Sequence, residues 1–471
     1  MSRLLRFTPC LLALLVGCGS EEAQEAFHRE LARDLGGAER DDDEALEAGR
    51  RVTDVAPTDS SAGLTLSDCF QRALQNADTL RAQSETLLQS DAQSMEAIAA
   101  VLPKVVFYGT HNRDSDKISF GGGSAFQPRE RTSYGVRIEQ TILDGKLVPR
   151  LDLIEETQQI QALQLRDARD QLLFAVATQF YEVLGYEADL RAIEATRASA
   201  TETLRVLQAR NELGVAREDE VLLAQASAAE AEAREIQTEA DLAQARARLE
   251  SLIQVRPLPA LRDTFRVASG PQEIPRLVDL ALAQRYDLEA ARHAIAAAEA
   301  STDEAWSAYL PQVDLTFDTI LESEEGFRSQ LDWTLGITLD WTLFDGFGRE
   351  ARLARARSVV RQREWELRAL EKQARLEVTE AALAFRSLDR ALFAFRARSE
   401  AAASAYDATE VRLRAGSATH LEVLVSRNTR EEAARNLTRT TLGRKLAALR
   451  IRRAAGDLKR AAPVADLAPP Q

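Results

Sequence analysis

Apolar positions along the chain follow two periods. Over most of its length they recur every three or four residues, in segments rich in Ala, Leu, Glu, Arg and Gln and poor in Gly and Pro, which predicts helices. The longest such segment, Lys146 to Asn211, holds 66 residues, ~100 Å as one helix. A counterpart runs from Phe347 to Leu413. Each ends just before a glycine, Gly214 or Gly416, suited to a left-handed C′ position. Returning helices follow at about 218–255 and 419–455, and shorter ones at about 67–101 and 275–309. Within the first returning helix Leu222, Ala226, Ala229, Ala233, Ile236, Ala240, Ala243 and Ala247 step alternately by four and three. That is a heptad seam of mostly Ala knobs, which lets neighbouring backbones approach closely. Stacking 275–309 on 218–255 would match the ~100 Å of a long helix, so the helices are expected to build a bundle or tube of constant height.

Between the helices the period switches to two. From Leu331 to Leu343, large apolar residues alternate without a miss with polar or small ones, which predicts a strand. In the other half Tyr134, Val136, Ile138, Gln140 and Ile142 alternate with Ser133, Gly135, Arg137, Glu139 and Thr141. Val313, Leu315, Phe317 and Thr319 alternate after Pro311, and Val105, Phe107 and Gly109 follow Pro103 more weakly.

The order recurs. Leu102-Pro103-Lys104-Val105 returns as Leu310-Pro311-Gln312-Val313, and Leu143-Asp144-Gly145 as Phe344-Asp345-Gly346. Gly214 with Glu220-Val221-Leu222 returns as Gly416 with Glu422-Val423-Leu424. Three ordered matches at nearly one offset indicate a duplication. The organisation expected is 1–18 leader, 19–63 acidic tether, 64–270 first repeat, 271–456 second repeat and 457–471 tail.

The leader carries Arg3 and Arg6 ahead of an apolar run from Leu11 to Val16, too short to span a ~30 Å hydrocarbon core. It ends Leu15-Val16-Gly17-Cys18, which resembles a bacterial lipobox, with Cys18 acylated and anchored in lipid; an ordinary signal peptide with a chance Cys is the alternative. Gly19, rather than Asp, favours the outer membrane. Residues 19–63 hold 13 acidic and five basic residues and little periodicity, as a flexible tether would. The whole chain carries a net charge of −14, which argues against nucleic acid as a partner. Four scattered His and three Cys give neither a multi-ligand metal site nor a disulfide framework. No cofactor motif stands out.

A sheet packed on a helical core in water would show the same alternation. The strands are, however, ~10 residues or longer, enough to cross a bilayer at a tilt. Trp333 and Trp341 share the apolar face, with Tyr134 on the corresponding face of the other half, as a membrane girdle requires. Asp314, Asp318, Asp332 and Asp340 then face a water-filled lumen. Four strands cannot close a barrel, and an open edge in lipid is costly, so further copies must complete it.

The ordered motifs resemble the TolC-like outer-membrane efflux protein family over about residues 64–456. Arg285-Tyr286-Asp287-Leu288 is similar to the family's Arg-Pro-Asp-Leu element, with Tyr in place of Pro; Asn76-Ala77-Asp78 also lacks the usual Pro, and Leu143 replaces Phe. The resemblance implies a mainly α fold with a membrane β-barrel: a long α-helical barrel, four strands per chain and 12 strands in a homotrimer. It implies tips that dock a periplasmic adaptor bound to an inner-membrane pump, here Leu213, Gly214, Val215 and Ala216 with Gly416, Ser417, Ala418 and Thr419. It also implies an acidic gate near the periplasmic mouth, matched by Glu422 but not by the apolar Val425. Solvated surface charge or helix-end charge is the plain alternative for Glu422, as helix capping is for the tips.

The resulting expectation is a passive export duct for small molecules, in the lipoprotein branch. A type I protein-secretion duct uses the same fold. A lipid-anchored structural periplasmic coiled coil is a reading of another class, and would not conduct ions. Nothing frames a catalytic nucleophile or a nucleotide-binding loop, so an enzyme is not expected.

Overall fold

The computed structural model describes residues 63–113, 130–267, 273–324 and 330–458. Cys18 and tether residues 19–62 lie outside them.

Among the described residues, twelve elements run through one order twice: two short helices, two strands, a long helix and a returning helix. In the first half these are α1 (Leu66–Asn76), α2 (Asp78–Ala99), β1 (Lys104–Arg113), β2 (Glu130–Leu143), α3 (Leu147–Glu212) and α4 (Glu218–Ile253). In the second they are α5 (Ile274–Gln284), α6 (Tyr286–Ser307), β3 (Gln312–Glu324), β4 (Gln330–Asp340), α7 (Gly348–Arg414) and α8 (His420–Ala454). The long helices, 66 and 67 residues, match expectation.

Three expectations are corrected. The segments 67–101 and 275–309 are each two helices, because Ala77 (φ −79°, ψ 88°) and Arg285 (φ −71°, ψ 127°) leave the helical region. The strand expected to reach Leu343 ends at Asp340. The stacking also differs: α6 packs on α3 and α7, as α8 does, so α6 extends the column of α8, whereas α2 extends that of α4 against α3.

The helices thus form a single row that is four wide at either end. Nearer the strands the order is α2–α3–α6–α7, and toward the helical turns it is α4–α3–α8–α7. The sheet, order β1-β2-β3-β4 and antiparallel throughout, repeats the row strand for helix, since α2 leads into β1, β2 into α3, α6 into β3 and β4 into α7. The main core lies midway, where Phe180, Val176 and Val183 of α3 meet Leu249 and Ile253 of α4, Leu449 of α8 and Cys69 and Phe70 of α1. Burial pushes the Cys69 thiol up to about 12, with Asp68 adding to the rise, so this cysteine stays an inert packing residue.

The Ala seam of α4 is not what holds α4 to its own chain. Residues 222, 226, 229, 233, 236, 240, 243 and 247 are all exposed. The buried seam is Ala224, Ala231, Glu235, Thr238, Leu242, Ala245 and Leu249, on the opposite side of the helix. Ile193, Ala200 and Leu207 are the buried residues of α3 over the same stretch.

Candidate functional site

The strand register sorts the sheet into two faces, because residues directly opposite each other share a face. Phe107 pairs with Val136, Ile138 with Phe317, and Phe317 with Leu335, giving an apolar face that the chain leaves exposed. Tyr134 and Trp333 sit toward the end of this face farther from the helices, Trp333 beside Phe317 with ring centroids 6.5 Å apart. Trp341 lies just past β4, and its indole N–H donates to the carbonyl of Tyr309 at 3.1 Å. The aromatic residues therefore stand at both ends of the sheet.

The other face carries the four aspartates. Asp314 pairs in register with Thr338, Asp318 with Thr334, Asp332 with Ile320 and Asp340 with Gln312. They differ in their surroundings. Asp318 accepts from the Tyr108 hydroxyl and from Arg137 Nε, each at 2.7 Å. Asp314 accepts from the Thr141 hydroxyl at 2.7 Å and from the Gln312 amide. Asp332 and Asp340 are exposed.

Strand passes to helix through an arginine that the sequence did not single out. Arg349, at the start of α7 and 6% exposed, donates to the carbonyls of Thr342 (2.6 Å) and Leu343 (2.8 Å) and lies 4.8 Å from the Tyr309 ring centroid. Asp345 accepts from the Arg349 N–H and from Arg352 Nη2, fixing the turn in which Phe347 adopts a left-handed φ of 67°. A second clamp explains the Arg285-Tyr286-Asp287-Leu288 element. Arg285 forms two bonds with Asp287 (3.0 and 2.7 Å) and one with Glu377 of α7 (2.7 Å), pinning the break between α5 and α6 to the long helix.

At the far end both turns use glycine in the left-handed region, Gly214 at φ 67° and Gly416 at φ 72°, each with open space where a Cβ would stand. Leu213 and Val215 are strongly exposed. Ser417 donates its hydroxyl to the Arg412 carbonyl at 3.1 Å, so it takes part in its own turn. Glu422 is the third helical residue of a capping box: its carboxylate accepts from the Thr419 N–H (2.7 Å), and Thr419 Oγ1 accepts from the Glu422 N–H (3.2 Å). Glu220 plays the matching part toward the Arg217 N–H at 3.2 Å. The repeated Glu-Val-Leu is thus, in both halves, the signature of a helix start. The Thr419 N–H, with Arg412 nearby, holds the Glu422 carboxyl below the usual glutamate range, so it stays ionised. Arg427 turns inward to Ser199 Oγ (3.0 Å) rather than to the tip acids, and Arg430 lies over the Tyr406 ring.

The family model for outer membrane efflux proteins matches residues 69–253 and 277–457. The chain belongs to that family. It is therefore an outer-membrane efflux channel subunit, of a family that is not enzymatic and works with adaptor and inner-membrane pump partners. Solved structures of such channels share its fold. The Campylobacter jejuni CmeC outer membrane channel superposes with a TM-score of 0.75 at 16% identity, covering 83% of this chain and 86% of that one. The Neisseria gonorrhoeae MtrE channel gives 0.68 at 22% identity, covering 84% and 90%. The Vibrio cholerae outer membrane protein VceC gives 0.71 at 18%, covering 83% and 96%. No curated protein sequence matches significantly.

In this efflux channel subunit the expected site residues fall into three separate places. The aspartates share one sheet face, the aromatics mark the ends of the other, and the tip residues with Glu422 lie at the opposite end of the long helices. Among the described residues no helix is long and apolar enough to cross a membrane. Arg349 and the Arg137–Asp318 pair escaped sequence reasoning because their partners are distant in the chain or are main-chain carbonyls, which leave no periodic signal.

Proposed function

We propose that three copies of this chain join head to tail into a passive export duct for small molecules. One observation carries the reading: sheet and helix row end in open edges on the same two sides, β1, α2 and α4 on one and β4 and α7 on the other. A sheet edge left open in lipid costs several kcal/mol per unpaired group, on the order given by hydrocarbon transfer. Joining β4 and α7 of one copy to β1, α2 and α4 of the next pairs every edge, in a heterologous contact that closes as a ring. The assembly has twelve strands, with Trp333, Trp341 and Tyr134 toward lipid and Asp314, Asp318, Asp332 and Asp340 toward the lumen. Cys18 carries the lipid anchor in the outer membrane, and the helical barrel extends into the periplasm.

The tips formed by Leu213, Gly214, Val215 and Ala216 and by Gly416, Ser417, Ala418 and Thr419 dock the periplasmic adaptor. The adaptor joins the duct to the inner-membrane pump, which supplies the energy. Glu422 contributes charge near the mouth, where three copies of an ionised carboxylate attract cations. Purified protein in planar bilayers tests the reading. Stepwise, long-lived conductance together with an oligomer resistant to mild detergent is expected; a monomer without conductance overturns it in favour of a structural coiled coil.

A further inference from the structure

The open edges carry matching side chains, and we infer that they fix the register in which one copy meets the next. This rests on the ring proposed above and names the residues that close it. On α4 the exposed seam Leu222, Ala226, Ala229, Ala233, Ile236, Ala240, Ala243 and Ala247 lies opposite the face packed on α3. On α7 a second exposed seam runs Ser387, Arg390, Ala394, Ala397, Ala401, Ser404, Ala408 and Val411, stepping by three and four. It too lies on the side away from the chain's own packing residues Ala374, Val378, Ala381 and Phe385.

The seams lie at the same depth and run in opposite directions, since α7 enters the tip and α4 leaves it. Counted from the turns at 1.5 Å per residue, Ala408 stands level with Leu222 to Ala226, Ala401 with Ala229 to Ala233, and Ala394 with Ile236 to Ala240, each to within ~3 Å. Charge agrees with this order. From Leu222 to Asp241, α4 has five acidic residues and one basic, whereas the exposed Arg390 of α7 falls level with the acidic Glu239 to Asp241 stretch. The occupant of each edge is the opposite edge of a second copy, and small knobs bring α4 and α7 close toward the tip.

Disulfide trapping in membranes of a Gram-negative host tests the register with the full-length chain. Ala233→Cys and Ala401→Cys, co-expressed as separate single variants, are expected to give a cross-linked pair on oxidation, and neither alone should. Ala247→Cys with Ala401→Cys, displaced by two heptads, should stay uncrosslinked. An amine-reactive cross-linker applied to the parent chain reports the oligomer independently. If it yields the oligomer while the displaced pair traps and the matched pair does not, the register is wrong and the duct stands. If it yields no oligomer, the ring itself falls and the register with it.

Discussion

At the scale of single residues, the groups that fix local geometry are mostly those whose partners are main-chain atoms. Arg349, itself buried, holds two carbonyls at the foot of β4, and its removal leaves both without that donor in a turn whose other side chains are largely exposed. Bonds to a charged donor are worth ~1.5–3 kcal/mol each, so Arg349→Ala should destabilise the folded chain by about 2–4 kcal/mol, read by chemical denaturation in detergent, with Arg349→Lys recovering part of it. Glu422 allows a sharper separation. Its carboxyl pKa is lowered in the folded chain, so the capping contribution is present above the ordinary glutamate value and is lost as pH falls through the lowered one. Glutamine at this position still accepts from the Thr419 N–H but carries no charge. Glu422→Gln should therefore leave amide exchange at the α8 start nearly unchanged at neutral pH, whereas Glu422→Ala should speed it. If Glu422 serves a gate, Glu422→Gln and Glu422→Ala both change cation block of the conductance, since both remove the charge; unchanged block in both variants would leave only the cap.

At the scale of elements, periodicity made most of the fold legible, and its failures have identifiable causes. The long helices were readable because 66 residues with only Pro149 in the first turn and a single interior glycine, Gly185, leave no other solution. The breaks at Ala77 and Arg285 were not, since neither Pro nor Gly marks them; the Arg285 break is held by Asp287 and by Glu377, 92 residues away. The Ala seam of α4 was legible as a face, yet within the chain it is exposed and the opposite face makes the contacts, because periodicity gives the face and not what lies against it. Within the sheet, Gly135 sits under Tyr108: a Cβ there would lie 2.5 Å from the Tyr108 Cζ and 2.6 Å from the Thr319 carbonyl oxygen. Gly135→Ala should therefore displace Tyr108 from Asp318 and lower thermal stability of the barrel. Gly416→Ala, with open space around it, should cost only the ~1 kcal/mol of a left-handed alanine. A melting temperature lowered more by the Gly416 change than by the Gly135 change would contradict this ordering.

At the scale of the whole molecule, the net charge of −14 says less about the channel than the placement of a few ions does. The strand alternation was enough to put Asp314, Asp318, Asp332 and Asp340 on one face, and the register agrees. The sequence could not show that Arg137 of the first repeat reaches Asp318 of the second, 181 positions on, and compensates its charge at 2.7 Å. The face is therefore less negative than four aspartates suggest, and Arg137 becomes its most informative residue. In a ring, each change is multiplied by the number of copies around one axis, where low-dielectric walls around a water-filled lumen focus the field. Arg137→Gln releases Asp318 while Tyr108 still donates to it, so the sheet remains tethered. The cation-to-anion permeability ratio should then rise about two-fold or more, while Asp332→Asn should lower it. Reversal potentials in a salt gradient across a planar bilayer measure both. A ratio that Arg137→Gln leaves unchanged, in a variant that still conducts, would place this face outside the conducting path and reverse the assignment of the two sheet faces.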